Sequence, residues 1–207
     1  MLQPERVQIW LFLALTIVLV GFFTVWLPHE AAGLSYIGLE MGEQAKFLPQ
    51  VRSGEITPGR SLFYVPPVIA GAVLILVTSR WPNRRWQTWA ARFVGVGLSF
   101  LAFPAIEALG AEAEEWLWRV LMIGAVLALA LASPYLRHID DKGRWLAIGL
   151  LALFGAVLPG WVFLEVRSAF STVYRQQLGI GVGFWLNIVG YLLLVALSLR
   201  MLRAPRP

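Results

Sequence analysis

The sequence predicts an all-α integral membrane protein. Six transmembrane helices form one bundle, with an amphipathic interfacial helix in the first outer loop. Three observations carry this expectation. The 207 residues are 58% hydrophobic and only 14% charged, with a mean hydropathy of +0.70, far from the balance of a water-exposed domain. Six apolar runs approach the roughly 20 residues needed to cross about 30 Å of hydrocarbon. Arginines collect at the ends of these runs rather than inside them, as topology signals do.

The chain is read as a single polytopic domain, 1–207, with spans at residues 8–27, 62–78, 93–109, 115–135, 145–166 and 179–199. The first run is long for a signal-peptide core, and Trp26-Leu27-Pro28-His29 lacks a small-residue cleavage site, so it is expected to be retained. Between the second and third runs lies the basic, tryptophan-rich stretch from Arg80 to Arg92, with Arg84, Arg85, Trp81, Trp86 and Trp89 between its ends. Translocating four arginines in a short loop is unfavourable, and tryptophan suits the headgroup layer, which places this loop in the cytoplasm. Both termini then fall on the cytoplasmic side of a bacterial-type membrane. With that orientation 11 of the 17 basic residues and 3 of the 12 acidic ones lie inside, giving +8 inside and −3 outside. Arg137 to Arg144 reads as a second tight inner turn.

The longest polar segment is the first outer loop, residues 28–61. Leu34, Ile37, Met41, Ala45 and Leu48 recur every three or four residues within it, interleaved with Glu40, Glu43, Gln44 and Lys46. That is the pattern of an amphipathic helix lying in the outer interface or capping the bundle. Leu34, Ile37, Met41 and Leu48 form its predicted contact face, and Pro49 is expected to end it. Pro66 and Pro67 are expected to bend the second span near its outer end.

Composition excludes several classes of function. The pI near 10.1 does not mark a nucleic-acid binder, because the arginines are dispersed over helix ends. The absence of cysteine excludes disulfides and thiolate chemistry. No ionisable residue lies near mid-span in any run, which argues against a proton-coupled pump. His29 and His138 fall on opposite faces, which argues against a bis-histidine haem. No cofactor, metal or catalytic role is expected.

Three constellations remain. An outer acidic group, Glu30, Glu40, Glu43, Glu107, Glu112, Glu114, Glu115 and Glu165 with Arg119, collects at one surface and offers oxygen ligands to a cation. On the last span Gly179, Gly183 and Asn187 recur every four residues, as do Gly124 and Ala128 on the fourth. Small residues at that spacing let helices approach closely, and Asn187 is placed to hydrogen-bond across the contact. Glu114-Glu115-x-x-x-Arg119, finally, resembles the first motif of the CAAX-protease and bacteriocin-processing family of intramembrane proteases. In that family paired glutamates activate water and later Phe-x-x-x-His and His-x-x-x-Asn motifs complete the site. Here Leu158 and Gly183 stand where the histidines belong, so the resemblance implies at most a degenerate member. Six spans with a long first outer loop also look like the substrate-binding subunits of energy-coupling-factor vitamin transporters, with the 28–61 loop as a lid. The expectation drawn from the residues themselves is a non-catalytic membrane subunit. Its partners are the lipid bilayer and other membrane protein subunits, with no nucleic acid, and it presents its first outer loop as a contact surface.

Overall fold

The computed structural model describes residues 4–104 and 113–204. Six long helices account for most of it: α1 (Pro4–Phe22), α4 (Val65–Thr78), α5 (Trp86–Ser99), α6 (Ala113–Leu136), α7 (Asp141–Tyr174) and α8 (Val182–Arg203). Between α1 and α4 lie a two-stranded antiparallel hairpin, β1 (Val25–Leu27) with β2 (Tyr36–Ile37), and the short helices α2 (Gly38–Ala45) and α3 (Pro49–Arg52). Four segments are long and apolar enough to cross a membrane: Arg60–Thr78, Trp116–Leu136, Asp141–Tyr174 and Val182–Arg203. The all-α class holds, with Arg6–Phe22 of α1 a shorter apolar helix than those four and α5 only 14 residues long.

The second apolar run supplies the hub. Within Arg60–Thr78, 83% of the most apolar window is buried, against 22% in Trp116–Leu136. Helix α4 packs against α1, α5, α6 and α7, and α8 closes the bundle between α1 and α7. An all-round hydrophobic sequence is what a central helix needs, because each of its faces meets protein. Close approach is secured by glycine. A Cβ on Gly71 would stand 2.2 Å from the Gly95 carbonyl oxygen, so α4 and α5 touch backbone to backbone at this point. Tyr191 of α8 lies flat against Gly155 of α7, and its buried hydroxyl donates to the Pro66 carbonyl of α4.

The predicted boundaries shift in ways that have local causes. The first run does not stay helical to residue 27, because α1 ends at Phe22 and the chain turns into β1. The Trp26 ring is buried there among Phe22, Phe63, Phe163 and Phe184, all at edge-on angles, and its indole N–H donates to the Gly21 carbonyl. Gly181 N–H in turn bonds the Trp26 carbonyl, tying the hairpin to the start of α8. The predicted helix over 34–48 is realised only as α2, followed by the separate turn α3. Pro49 does not terminate a helix. It begins one, as the first residue of α3, where a missing N–H costs nothing. Pro66 and Pro67 sit in the first turn of α4, at the end of the run where the bend was expected, directly after the 3₁₀ helix Arg60–Tyr64.

Helix α5 starts at Trp86, seven residues before the predicted span, so half of the basic loop is helical. Helix α7 runs on past residue 166 to Tyr174, where Tyr36 and Tyr174 share a hydroxyl–hydroxyl bond of 3.0 Å. At the opposite end of the bundle, Arg80 donates to the Ile139 carbonyl and to Asp141 (2.8 and 3.0 Å), joining the two basic turns as the charge pattern requires.

Candidate functional site

The polar centre of the molecule lies where the first outer loop meets the bundle. Helix α2 is short, and its seat explains its sequence. Glu40 accepts from the Ile37 backbone N–H (3.2 Å), satisfying a donor at the helix start. Gly38 and Gly42 lie on the underside. A Cβ on Gly38 would meet the Phe22 carbonyl oxygen and the Trp26 ring at 2.8 Å, and one on Gly42 would meet the Tyr64 ring at 2.8 Å. Met41, Ala45 and Leu48 are buried beside them in the Trp26 cluster. The helix therefore lies directly on aromatic rings, which fill the space beneath it.

That seat points Glu43 at two partners. Tyr64 donates its hydroxyl to Glu43 Oε1 at 3.0 Å, and Arg119 Nη1 donates to the same oxygen at 2.8 Å. Lys46 Nζ stands 3.6 Å from Oε2. The Arg119 side chain rises from the second turn of α6 and spends its other donors on the end of α5. Nε donates to the Ala102 carbonyl (2.7 Å) and Nη2 to the Phe103 carbonyl (3.2 Å). Its guanidinium also stacks over the Tyr64 ring, 3.9 Å from the centroid. One side chain thus fastens α2, the α4 entry, the α5 exit and α6. Burial alone would push the Glu43 carboxyl up. The bonds from Arg119 and Tyr64, with the charges of Arg119 and Lys46, outweigh it and hold the group below its ordinary range.

The predicted residues are distributed differently from this centre. Of the acidic group, Glu30 and Glu165 are exposed, and Glu107 and Glu112 lie outside the described residues. Glu114 and Glu115 fall in the first turn of α6, and their side chains too lie outside the description. Arg119 is in the centre, with Glu43 as its carboxylate partner. No group of three or more His, Cys, Asp or Glu among the described residues is arranged to hold a metal ion.

Of the predicted contact face, Met41 and Leu48 are buried, and Leu34 and Ile37 are half-buried. Met41 and Leu48 pack on the chain's own core, in the cluster that holds Trp26, Phe63 and Phe22. The segment exposes instead Phe47, 61% exposed, with the Lys46 ammonium 5.2 Å from its ring centroid; Glu40, Arg52 and Glu55 are exposed elsewhere along it.

The small-residue stripes also divide. Gly183 meets the Thr24 and Gly21 carbonyl oxygens, and Asn187 donates to the Val18 carbonyl at 3.0 Å. The α8 stripe is therefore consumed by α1. Gly179 precedes α8 and lies against Pro28. Gly124 and Ala128 face outward from α6, and a Cβ at Gly124 would meet nothing within 4 Å.

Periodicity alone did not single out the Glu43–Tyr64–Arg119 centre. Its three members lie 21 and 55 residues apart, and only the fold brings them together. Searches for likeness gave no match of this chain to a protein-family model, a curated protein or a solved structure.

Proposed function

We propose that this chain is a non-catalytic integral membrane subunit that packs beside other membrane proteins and presents a rigid outer cap to a protein partner. One observation carries the reading. The 28–61 segment turns most of its apolar residues inward and is anchored by Arg119, leaving Phe47 exposed beside Lys46 on a segment whose other exposed residues carry charges of both signs. An exposed aromatic ring framed by a polar, mixed-charge rim is the anatomy of a protein contact, where the ring is the anchor and the rim excludes water. Fixing the cap beforehand lowers the ordering cost of binding.

In this reading the chain crosses the membrane six times. Helices α1 and α5 span as well, the latter lengthened by the single 3₁₀ turn Phe100–Ala102. Both termini are cytoplasmic. The Arg80–Asp141 bridge and the basic last turn of α8 (Arg200, Arg203) support that placement.

The test is photo-crosslinking in native membranes with a benzophenone amino acid at Phe47 or at Met41, followed by mild detergent extraction and mass spectrometry. The expected result is a discrete protein adduct from position 47, none from buried position 41, and the same partner at fixed stoichiometry in the extract. A chain that elutes alone with a bound small molecule, without an adduct at either position, refutes the subunit reading and favours a lid over a ligand.

A further inference from the structure

Among the described residues, Arg92 has no counter-ion. It lies in the second turn of α5, 3% exposed, and its side chain reaches back toward the start of the helix. Nη2 donates to Asn83 Oδ1 at 2.7 Å, whereas Nε and Nη1 are buried with no partner. No carboxylate among the described residues forms an ion pair with it. Arginine does not escape by losing its proton, so a buried guanidinium with two unpartnered N–H groups favours an anionic partner.

What surrounds Arg92 indicates the missing charge. Helix α5 begins at Trp86 with no side chain capping its N-terminus, so the partial positive charge there is uncompensated. Arg84 and Arg85 are exposed at the same point. The cover over the guanidinium is the Trp89 ring, 4.9 Å away and itself half exposed, hinged by its indole N–H on the Asn83 carbonyl (2.9 Å). Nε–H and Nη1–H lie on different sides of the guanidinium, so each offers an anion oxygen one charged donor. Trp86 and Phe93 flank the position at 74% and 75% exposure. Exposed aromatic rings beside arginines mark the depth of lipid headgroups.

We propose that the α5 entry is a phosphate-binding site, with Arg92 as its buried ligand and Arg84, Arg85 and the helix N-terminus around it. Its occupant is the phosphate of an anionic phospholipid. The site depends on the bundle lying in a membrane and is independent of what the outer cap contacts.

Native mass spectrometry of the full chain tests this, with release from nanodiscs of phosphatidylglycerol or of phosphatidylcholine. One phosphatidylglycerol should be retained per chain. Retention should fall tenfold or more in Arg92→Gln and severalfold in Arg92→Lys, and stay unchanged in Arg137→Gln, an exposed arginine at the same end. Displacement of the lipid by millimolar inorganic phosphate, lost in Arg92→Gln, supports the phosphate site but reassigns its source to a soluble anion. Equal retention in Arg92→Gln overturns the proposal, as does an equal loss in Arg137→Gln, which reports diffuse charge. Equal retention of the two lipids without any phosphate effect also overturns it. Where Arg92→Gln does not accumulate, Arg92→Lys keeps the charge and decides: an undiminished retention overturns the site.

Discussion

Arg119 on α6 and Glu43 on α2, 76 residues apart in sequence, meet at 2.8 Å and join the outer cap to the bundle. The two ends of this contact are unequal. The Arg119 side chain is 12% exposed and also bonds two carbonyls and stacks on Tyr64, whereas Glu43 is 42% exposed. Losing Arg119 strands buried acceptors, while losing the Glu43 charge removes a screened interaction. Arg119→Ala should therefore cost about 2–3 kcal/mol and Glu43→Gln about 0.5–1 kcal/mol. Thermal unfolding in detergent measures both. Limited proteolysis of the 28–61 segment should show the cap opening in Arg119→Ala first.

Acid should release the same contact. Glu43 titrates below its ordinary value of 4.5 in the folded chain, so its contribution is complete above that value and is lost as pH falls through the lower folded one. The stability difference between the wild type and Glu43→Gln should be constant from pH 7 to about 5 and shrink toward zero in more acidic solution. A difference that persists unchanged into strong acid would show that the carboxylate charge is irrelevant to the cap.

The helical class and the two polar ends were legible because they rest on composition and on charge at helix ends, which act locally. Five of the six apolar runs fall largely on single long helices, whereas the third, 93–109, overlaps α5 only over 93–99 and its residues 105–109 lie outside the described residues; the basic turns meet at one end through Arg80 and Asp141. The sense of the cap was not legible. A stripe of Leu, Ile and Met at helical spacing says that something apolar covers it, not whether the cover is lipid, a partner or the chain's own Trp26. Pro49 was misplaced for a related reason: a proline that ends one helix and a proline that opens the next look alike until the register is known. The Arg119 contacts were hidden by their sequence separation. Glu43 was legible as one of the outer acids, but nothing in its spacing marked it as the partner of Arg119.

The glycines separate close helix contact from open surface, and substitution should sort them. Gly71→Ala drives a methyl to 2.2 Å from the Gly95 carbonyl oxygen, and Gly183→Ala to 2.4 Å from the Thr24 carbonyl oxygen. Backbone cannot yield as a side-chain tip can, so each should cost about 3 kcal/mol or more, at the upper end of core overpacking. Gly124→Ala meets nothing within 4 Å and should stabilise α6 by about 0.5–1 kcal/mol through helix propensity. Thermal midpoints of the three variants in one detergent decide the matter. A destabilised Gly124→Ala would instead mean that this outward face is covered in the solution state.

Arg175 ends α7 in the left-handed region, at φ 55°, where a non-glycine side chain crowds the following carbonyl. The conformation is fixed by the turn itself: the Arg175 N–H reaches the Thr172 carbonyl, and the Gln176 N–H reaches that of Ser171. Glycine is the usual residue at this kind of helix exit because it has no Cβ to crowd. Arg175 is exposed, so replacing it removes little packing. Arg175→Gly should therefore stabilise the chain by up to about 1 kcal/mol, the relief of strain exceeding the entropy that glycine adds to the unfolded state. Arg175→Ala keeps the Cβ and should gain nothing. If both variants behave alike in thermal unfolding, the left-handed strain at this exit does not limit stability.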